Sequence, residues 1–403
     1  MTESGHSRVL LLTAMLVAVT GVGFFFIGKH QGKVTGRRSE RQRDQGAITT
    51  GPWGALRYWN SQLEMPPGMI AQESKPVLMT RWYFGAASPG IIEKILIDSG
   101  LSSGAISKLM ATLQTWPTGG YVMEPPDDLV LAVPPEARKK LYHQLKQWPL
   151  NAAISMPTRF EKIGKRDWLD QADISPKTAD LARQLIYREG DTQLFVDYDI
   201  VLRSISDNRE AREFVRTMTR QNCIMGSLVV RPEDSLDELA AYWGRGGREN
   251  DVRTLLESAR WSDASHEIPI LLLLPRFARD RLYRYRRDDD PVLANCHYSS
   301  VNFFFRTPNN AYTNLEVCSQ KIDTDYQPVT DGSRQLGDIV MLMIGEHSVV
   351  HSCNIVAGDI VFTKNGTAQG QPWVLADLKQ IVNYFSIEQP VTIRIVRSKE
   401  FAK

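Results

Sequence analysis

The chain has 403 residues, and its 48 lysines and arginines against 46 aspartates and glutamates give a formal net charge of +2. Hydrophobic residues make up 42% and charged residues 23%, which is typical of folded globular proteins. Such a small net charge excludes a strongly basic nucleic-acid-binding protein and gives no reason to expect an acidic substrate. We therefore predict no nucleic-acid partner, and the length allows two to three domains.

The N-terminal region contains a long run without a charged residue, over residues 9–28. A helix rises about 1.5 Å per residue, so this run is long enough to cross a bilayer core of about 30 Å. A cleaved signal peptide needs a shorter apolar stretch and a small-x-small cleavage site, whereas this run ends in Phe24-Phe25-Phe26-Ile27. We predict a single-pass transmembrane anchor over residues 1–28, with the protein at the membrane.

Basic residues are distributed unevenly around this run. Arg8 is the only one before it, whereas the six that follow are Lys29, Lys33, Arg37, Arg38, Arg41 and Arg43. The positive-inside rule then favours a cytoplasmic body. The resemblance described below implies the opposite side, so the orientation stays open. Residues 29–75 are predicted as a juxtamembrane linker, because their first part is polar and lacks apolar periodicity.

The cysteine pattern indicates neither a disulfide framework nor a metal site. Cys223, Cys296, Cys318 and Cys353 are too few to staple a chain of this length. No CxxC pair or His/Cys cluster has zinc spacing, and the pair His351-x-Cys353 offers only two ligands. We therefore predict no metal and no cofactor.

Residues 76–287 are predicted as a mostly helical domain of unassigned role. Proline or serine starts precede apolar positions at helical spacing. These starts are Pro89, Ser102, Pro134, Ser175 and Ser235, with one more helix over residues 250–260. The arginine-rich residues 276–287 are interpreted as a solvated helix face, because Asp288-Asp289-Asp290 follow directly. A domain boundary is placed there.

The last segment, residues 288–403, has a different pattern. Asn295 is a good N-cap, which places Cys296 in the first turn of a helix. A thiol at that position feels the positive end of the helix dipole, so we expect a pKa below the free value of about 8.5.

Short β-like runs follow this helix, and a helix is predicted over residues 374–385, before the last run. The runs cover residues 336–344, 348–357, 360–366 and 391–397. A helix followed by antiparallel strands predicts an α+β domain. The predicted fold class of the chain is therefore α+β, with a transmembrane helix, a mostly helical middle domain and a C-terminal domain of helix plus antiparallel sheet.

His351 lies within the second of these runs, among apolar residues. Burying an imidazole costs free energy unless it has partners. Thr363, across the turn, and Asn365, on the same strand face by period two, are alternative partners that would orient the ring. A thiol, an imidazole and a polar orienter form the relay of acyl-transfer enzymes. The candidate catalytic residues are therefore Cys296, His351, and Thr363 or Asn365.

Each candidate also has a structural interpretation. Cys296 alone is more typical of a small buried hydrophobe, and His351 of a core imidazole bonded to backbone. His297 is a rival base, although one residue along a helix it points about 100° away from the thiol. For Cys353, packing within the sheet is favoured over a place in the site.

The helix start Asn295-Cys296, the strand start Gly337-Asp338-Ile339-Val340 and His351 on the next strand resemble the NlpC-type cell-wall peptidases of the papain-like superfamily. Residues 360–366 and 371–375 also resemble a bacterial, membrane-anchored subgroup of uncharacterised NlpC-like proteins. The resemblance covers about residues 290–390. It implies a papain-like fold, cysteine peptidase or amidase activity, a peptide or peptidoglycan-like substrate and an extracytoplasmic, membrane-held site.

The sequence also departs from the motifs of that family. The usual Asp-Cys-Ser-Gly is replaced by Asn295-Cys296-His297-Tyr298. The third catalytic position is commonly His, Asn or Gln, and Thr363 stands at that spacing. Two other hypotheses stay open: a catalytically inactive NlpC-like binding or scaffold protein, and a cytoplasmic thiol hydrolase or acyltransferase.

Overall fold

The structure is a computed structural model that describes residues 46–160, 169, 172–190, 192–262, 266–287, 289–387 and 389–401. The predicted transmembrane anchor over residues 1–28 lies outside these ranges. No helix within the described ranges is both long and apolar enough to cross a membrane.

The first part of the described chain alternates short strands with helices. Its strands are β1 (Ala47–Gly51), β2 (Gly54–Leu63), β3 (Trp82–Tyr83), β4 (Leu113–Thr115), β5 (Tyr121–Met123), β6 (Thr158–Phe160), β7 (Tyr187–Glu189) and β8 (Thr192–Phe195). Its helices are α1 (Pro67–Glu73), α2 (Pro89–Asp98), α3 (Ser103–Met110), α4 (Asp127–Leu131), α5 (Pro135–Leu145), α6 (Ala152–Ser155), α7 (Pro176–Leu185), α8 (Tyr198–Ser204) and α9 (Asn208–Thr219).

The second part contains the longer strands. They are β9 (Gln221–Val229), β10 (Glu267–Pro269), β11 (Tyr326–Pro328), β12 (Ile339–Ile344), β13 (Ser348–Ala357), β14 (Ile360–Lys364), β15 (Trp373–Asp377) and β16 (Thr392–Ser398). Its helices are α10 (Leu236–Trp243), α11 (Glu249–Arg260), α12 (Ile270–Leu273), α13 (Arg276–Arg281), α14 (Cys296–Val301), α15 (Leu315–Asp325) and α16 (Leu378–Phe385). Short 3₁₀ turns lie at Asn310–Thr313 and Lys399–Phe401.

The described strands form four antiparallel sheets. The largest has six strands in the order β11-β16-β12-β13-β14-β15. A four-stranded sheet has the order β1-β2-β9-β10, and two three-stranded sheets have the orders β3-β5-β4 and β6-β8-β7. The chain is therefore mixed α/β with several antiparallel sheets.

This architecture corrects the predicted fold class. The middle region is not mostly helical, because β3 to β10 lie within it. Strands β3 to β8 have only two to four residues, which is too short for a period-two pattern to be visible. The predicted linker, residues 29–75, contains β1, β2 and α1. Its polarity reflects the mostly exposed face of β1.

The hydrophobic core does not divide at the predicted boundary of residue 288. One cluster of buried side chains joins Leu256 and Phe277, before that boundary, to Tyr298 and Phe362 after it. A second cluster holds most of the buried side chains between Met65 and Met218. The elements from β9 onward therefore support the six-stranded sheet.

The six-stranded sheet is covered by a helix on each face. Val301 of α14 packs in the same cluster as Met341 of β12, whereas Ile381 of α16 packs with Leu342, the next residue of that strand. Successive residues of a strand point to opposite faces. Thus α14 and α16 lie on opposite faces of the sheet.

The Gly-Asp motif fixes the start of β12. Gly337 has φ +86°, and a Cβ atom there would lie 2.0 Å from the Phe304 ring, so both backbone and packing require glycine. Asp338 is 1% exposed, and Arg397 of β16 donates to its two carboxylate oxygens at 2.8 and 2.7 Å. The motif therefore holds the start of β12 against Phe304 on one side and against β16 on the other.

Candidate active site

Cys296 is the first residue of α14. The side chain of Asn295 caps this helix by accepting a hydrogen bond from the Tyr298 backbone N–H at 2.8 Å. Trp373 of β15 donates its indole N–H to the Ser299 hydroxyl at 2.9 Å. The cap and this contact hold the N-terminal turn of α14 against the sheet.

The Cys296 thiol is buried, with 8% of the residue exposed. Burial raises its pKa, and hydrogen bonds from the backbone of Ser352, His297 and Cys296 itself act in the opposite direction, as does the charge of Lys364. Burial dominates, so the pKa is raised. The expected lowering by a helix dipole is wrong for this conformation, because a helix of six residues has few aligned peptides to offset desolvation.

His351 belongs to a hydrogen-bonded chain of three side chains. Its Nε2 lies 2.9 Å from Thr363 Oγ1, and the Thr363 hydroxyl donates to Asn365 Oδ1 at 3.0 Å. A hydroxyl has one proton, so Thr363 accepts from the imidazole, which must then carry its proton on Nε2. Thr363 and Asn365, which the sequence offered as alternative partners of His351, thus act in series. We call these three side chains the relay.

The other ring nitrogen of His351 is free. Nδ1 is buried and has no hydrogen-bond partner among the described atoms, and with the proton on Nε2 it carries a lone pair. The ring of Phe385 stacks on the imidazole with centroids 4.2 Å apart and 19° between the planes. Burial, with a further contribution from the charge of His297, lowers the pKa of His351 to about 3. The imidazole is therefore neutral at neutral pH and has an unprotonated nitrogen.

Two side chains of β13 face α14. His297 Nδ1 lies 3.0 Å from the Ser352 hydroxyl, and Asn354 donates to the Ser300 carbonyl at 3.1 Å. These contacts alternate along the strand, which is the period of an extended chain. They show that α14 covers the face of β13 that carries Ser352 and Asn354.

His351 and Cys353 therefore point to the opposite face, which α16 covers. Cys353 is fully buried in the cluster that contains the α16 side chains, and Phe385 of α16 stacks on His351. The Cys296 thiol and the imidazole approach β13 from different sides, and no hydrogen bond joins the thiol to Nδ1. The packing interpretation of Cys353 agrees with its position.

Lys364 is a residue of this site that the sequence reasoning missed. It is fully buried, and its ammonium donates to the carbonyls of Gln371 at 2.5 Å and Ala368 at 3.4 Å. It also lies 4.9 Å from the centroid of the Trp373 ring. Burial lowers its pKa to about 7, whereas the charge of Cys296 raises it. A lysine directly after Thr363 in an apolar strand was the signal available in the sequence.

A cavity of about 160 Å³ lies beside the outer end of the relay. Asn365 lines it, together with Gln371, Asn222 of β9 and Asn383 of α16. Neither Cys296 nor His351 lines this cavity. This cavity therefore reaches the relay at Asn365 and not at the thiol or the imidazole.

The end of α16 is held over His351 by the first part of the chain. The guanidinium of Arg159 in β6 lies 4.0 Å from the centroid of the Tyr384 ring and donates to the Tyr384 carbonyl. Phe385, the next residue, stacks on the imidazole. This Arg159–Tyr384 clamp keeps the covering ring in place.

All four cysteines are buried and free of disulfides. Within the described ranges, no three His, Cys, Asp or Glu side chains lie close enough together to hold a metal ion. Comparison with known proteins gave no match to a protein-family model, to a curated protein or to a solved structure.

Proposed function

We propose that the chain is a cysteine hydrolase that cleaves amide bonds, with Cys296 as nucleophile and His351 as its base. The observation that carries the proposal is the relay from His351 through Thr363 to Asn365, which fixes one tautomer and leaves Nδ1 unpaired. Buried polar atoms are normally paired, so the unpaired Nδ1 requires an explanation, and the proposal gives it one as the proton acceptor. A histidine that served only to fill the core would not need Thr363 and Asn365 in series to fix the orientation of its ring.

In this mechanism the thiol proton passes to Nδ1 of His351 and the sulfur attacks the carbonyl carbon of the substrate. The negative charge moves to the carbonyl oxygen, where the backbone donors around Cys296 and Ser352 stabilise it. The imidazolium then gives its proton to the leaving amine, and a thioester forms. Water, deprotonated by Nδ1, hydrolyses the thioester and restores the thiol. Thr363 and Asn365 hold the ring throughout.

Proton transfer requires the sulfur and Nδ1 to meet, and the described conformation keeps them on different faces of β13. Phe385 covers the ring from the α16 side, and β13 itself separates the imidazole from the thiol. The proposed proton transfer therefore requires a rearrangement of β13 that brings both groups to one side, since displacement of α16 alone would only expose the imidazole.

The substrate is a peptide amide. The resemblance to NlpC-type peptidases implies a peptidoglycan stem peptide. The cavity at Asn365 lies on the α16 face, away from the thiol, and offers amide groups to a peptide at the far end of the relay. Its lining includes the side-chain amides of Gln221, Asn222, Gln380 and Asn383, which can both donate to and accept from peptide groups.

The experiment is digestion of peptidoglycan fragments by the full-length chain, with mass spectrometry of the products. We expect cleaved stem peptides with the wild type and none with Cys296→Ser or His351→Gln. Cys223→Ala is the matched control, because Cys223 is a buried cysteine of β9 outside the relay. Products that persist in Cys296→Ser would remove the nucleophile from the proposal.

A second candidate function is a non-catalytic binding module. It is favoured by one observation, that the thiol and the imidazole lie on opposite faces of β13 and are both buried. Iodoacetamide labelling separates the two functions. Fast labelling of Cys296 that is lost in His351→Ala supports the hydrolase, whereas labelling no faster than that of Cys318 supports the binding module.

A further inference from the structure

We infer that Lys364 is the cationic partner of the Cys296 thiolate and a positioning residue for the attack by sulfur. The inference rests on the proposed function, since it concerns the same thiol. In the proposed function the thiol interacts with His351. In this inference the charge that stabilises the sulfur comes instead from Lys364 of β14.

The first step of the argument is the unusual burial of Lys364. The residue is 0% exposed, and lysines are almost never fully buried unless paired. Its contacts are two backbone carbonyls and the face of an indole ring, and it forms no ion pair with a carboxylate among the described residues. Carbonyl oxygens and an indole face favour the ammonium but do not neutralise it. Burial therefore lowers its pKa to about 7, and a nearby anion would stabilise its charged form.

The second step is the face of the sheet on which Lys364 lies. Thr363 bonds to His351, and the next residue of an extended strand points to the other side. That side is covered by α14, and Trp373, whose ring the ammonium contacts, donates to Ser299 of α14. Lys364 and the Cys296 thiol therefore lie on the same face of the sheet, whereas His351 lies on the opposite face.

The third step is the mutual interaction of the two groups. The charge of Lys364 favours the thiolate, and the thiolate in turn favours the ammonium. Three backbone hydrogen bonds add to the stabilisation of the sulfur anion. The site thus holds donors for a thiolate before any histidine reaches it.

Other titratable groups near the pair are few. On the thiol side they are His297 of α14, Cys318 of α15 and Cys353 of β13, and Arg286 faces the lysine. Burial lowers the pKa of His297 and raises those of both cysteines, which favours their uncharged forms. Lys364 is thus the cation on which the sulfur depends, and Arg286 modulates the lysine.

The test measures the thiolate directly and requires no substrate. Thiolate ultraviolet absorbance and the alkylation rate of Cys296, assigned by mass spectrometry, are followed across pH for the full-length chain. Lys364→Met removes the charge, Lys364→Gln keeps a donor for the Gln371 carbonyl without charge, and Lys364→Arg keeps the charge. Lys379→Met is the control, because Lys379 is an exposed lysine of α16.

We expect the thiolate to appear at higher pH in Lys364→Met and Lys364→Gln, and the alkylation rate near neutral pH to fall about tenfold, the effect of one pKa unit. Lys364→Arg should restore most of the rate, and Lys379→Met should match the wild type. A purely structural role would instead lower thermal stability in Met and Gln variants without moving the pH curve. If Lys364→Met does not fold, the Gln variant carries the test.

Superimposed pH curves for the wild type and a folded Lys364 variant would overturn the inference. The proposed function is judged separately by peptide cleavage. If Cys296→Ser abolishes cleavage while Lys364→Gln leaves the thiolate curve unchanged, the hydrolase stands and the lysine pairing falls. If cleavage is absent but the curve moves, the pairing stands without the enzyme.

Discussion

The buried imidazole of His351 predicts a loss of stability in mild acid that one substitution removes. The ring is 1% exposed, and its pKa in the folded state is lowered to about 3 from an ordinary value of 6.5. Between these values the unfolded chain binds a proton that the folded chain does not. Stability therefore falls as the pH decreases below 6.5 and reaches its lower limit near pH 3.

The size of this effect follows from the same two values. Each tenfold change in proton concentration contributes up to about 1.4 kcal/mol in this range. Lowering the pH from about 7.5 to about 4.5 then costs about 3 kcal/mol of unfolding free energy from this residue alone. His351→Gln removes the titration and keeps an N–H that can donate to Thr363, so it is a suitable reference.

The assay is chemical denaturation of the wild type and His351→Gln at several pH values. The other acid-labile groups are the same in both chains, so the difference between their free energies isolates the imidazole. We expect the variant to lose less stability than the wild type by about 3 kcal/mol over that interval. Parallel stability curves would refute the reasoning, because they would mean that the folded state accepts the proton without cost.

Three further predictions concern the supports of the site, each measured by denaturation. Asn295→Ala removes the cap of α14 and should cost about 1 kcal/mol, whereas Asn295→Asp, a good cap, should cost little. Arg397→Met removes the closest cation from the buried carboxylate of Asp338 and leaves it the Gln335 N–H and the more distant Arg245, so it should cost about 3 kcal/mol, and an unchanged stability would show that the pair contributes nothing. Thr363→Val removes the acceptor of the His351 N–H and should cost about 1–3 kcal/mol, while Thr363→Ser should restore most of it; equal losses would point to packing instead.

Helix starts were predictable from the sequence because side-chain caps are local. Ser175, Ser235 and Asn295 each accept a hydrogen bond from the backbone N–H three residues further on, as their spacing indicated. The long strand β13 begins and ends at the predicted residues, since its apolar run is bounded by turn residues. Neighbouring residues determine these helix starts and strand ends, so each could be predicted from its own segment of the sequence.

The relative placement of the site residues was not predictable. Every residue of β13 from His351 to Ala357 is buried, so the strand has no exposed face, and its alternation of polar and apolar residues does not show which face α14 covers. An irregular register beside Leu342 further shifts the pairing of β12 and β13. The relay from His351 to Asn365 lies on neighbouring strands, where period two applies. The side of Cys296 depends on tertiary packing, which a single sequence does not reveal.

The Arg159–Tyr384 clamp joins residues that are 225 positions apart in the chain. A fragment that begins at β9 would contain the strands of the six-stranded sheet, the thiol and the imidazole, but would lose this arginine and also β2, which pairs with β9. Phe385 would then leave His351 more readily. Activity measured on such a fragment would therefore refer to a state in which the end of α16 is not held over His351. Rates of variants should be compared in the full-length chain.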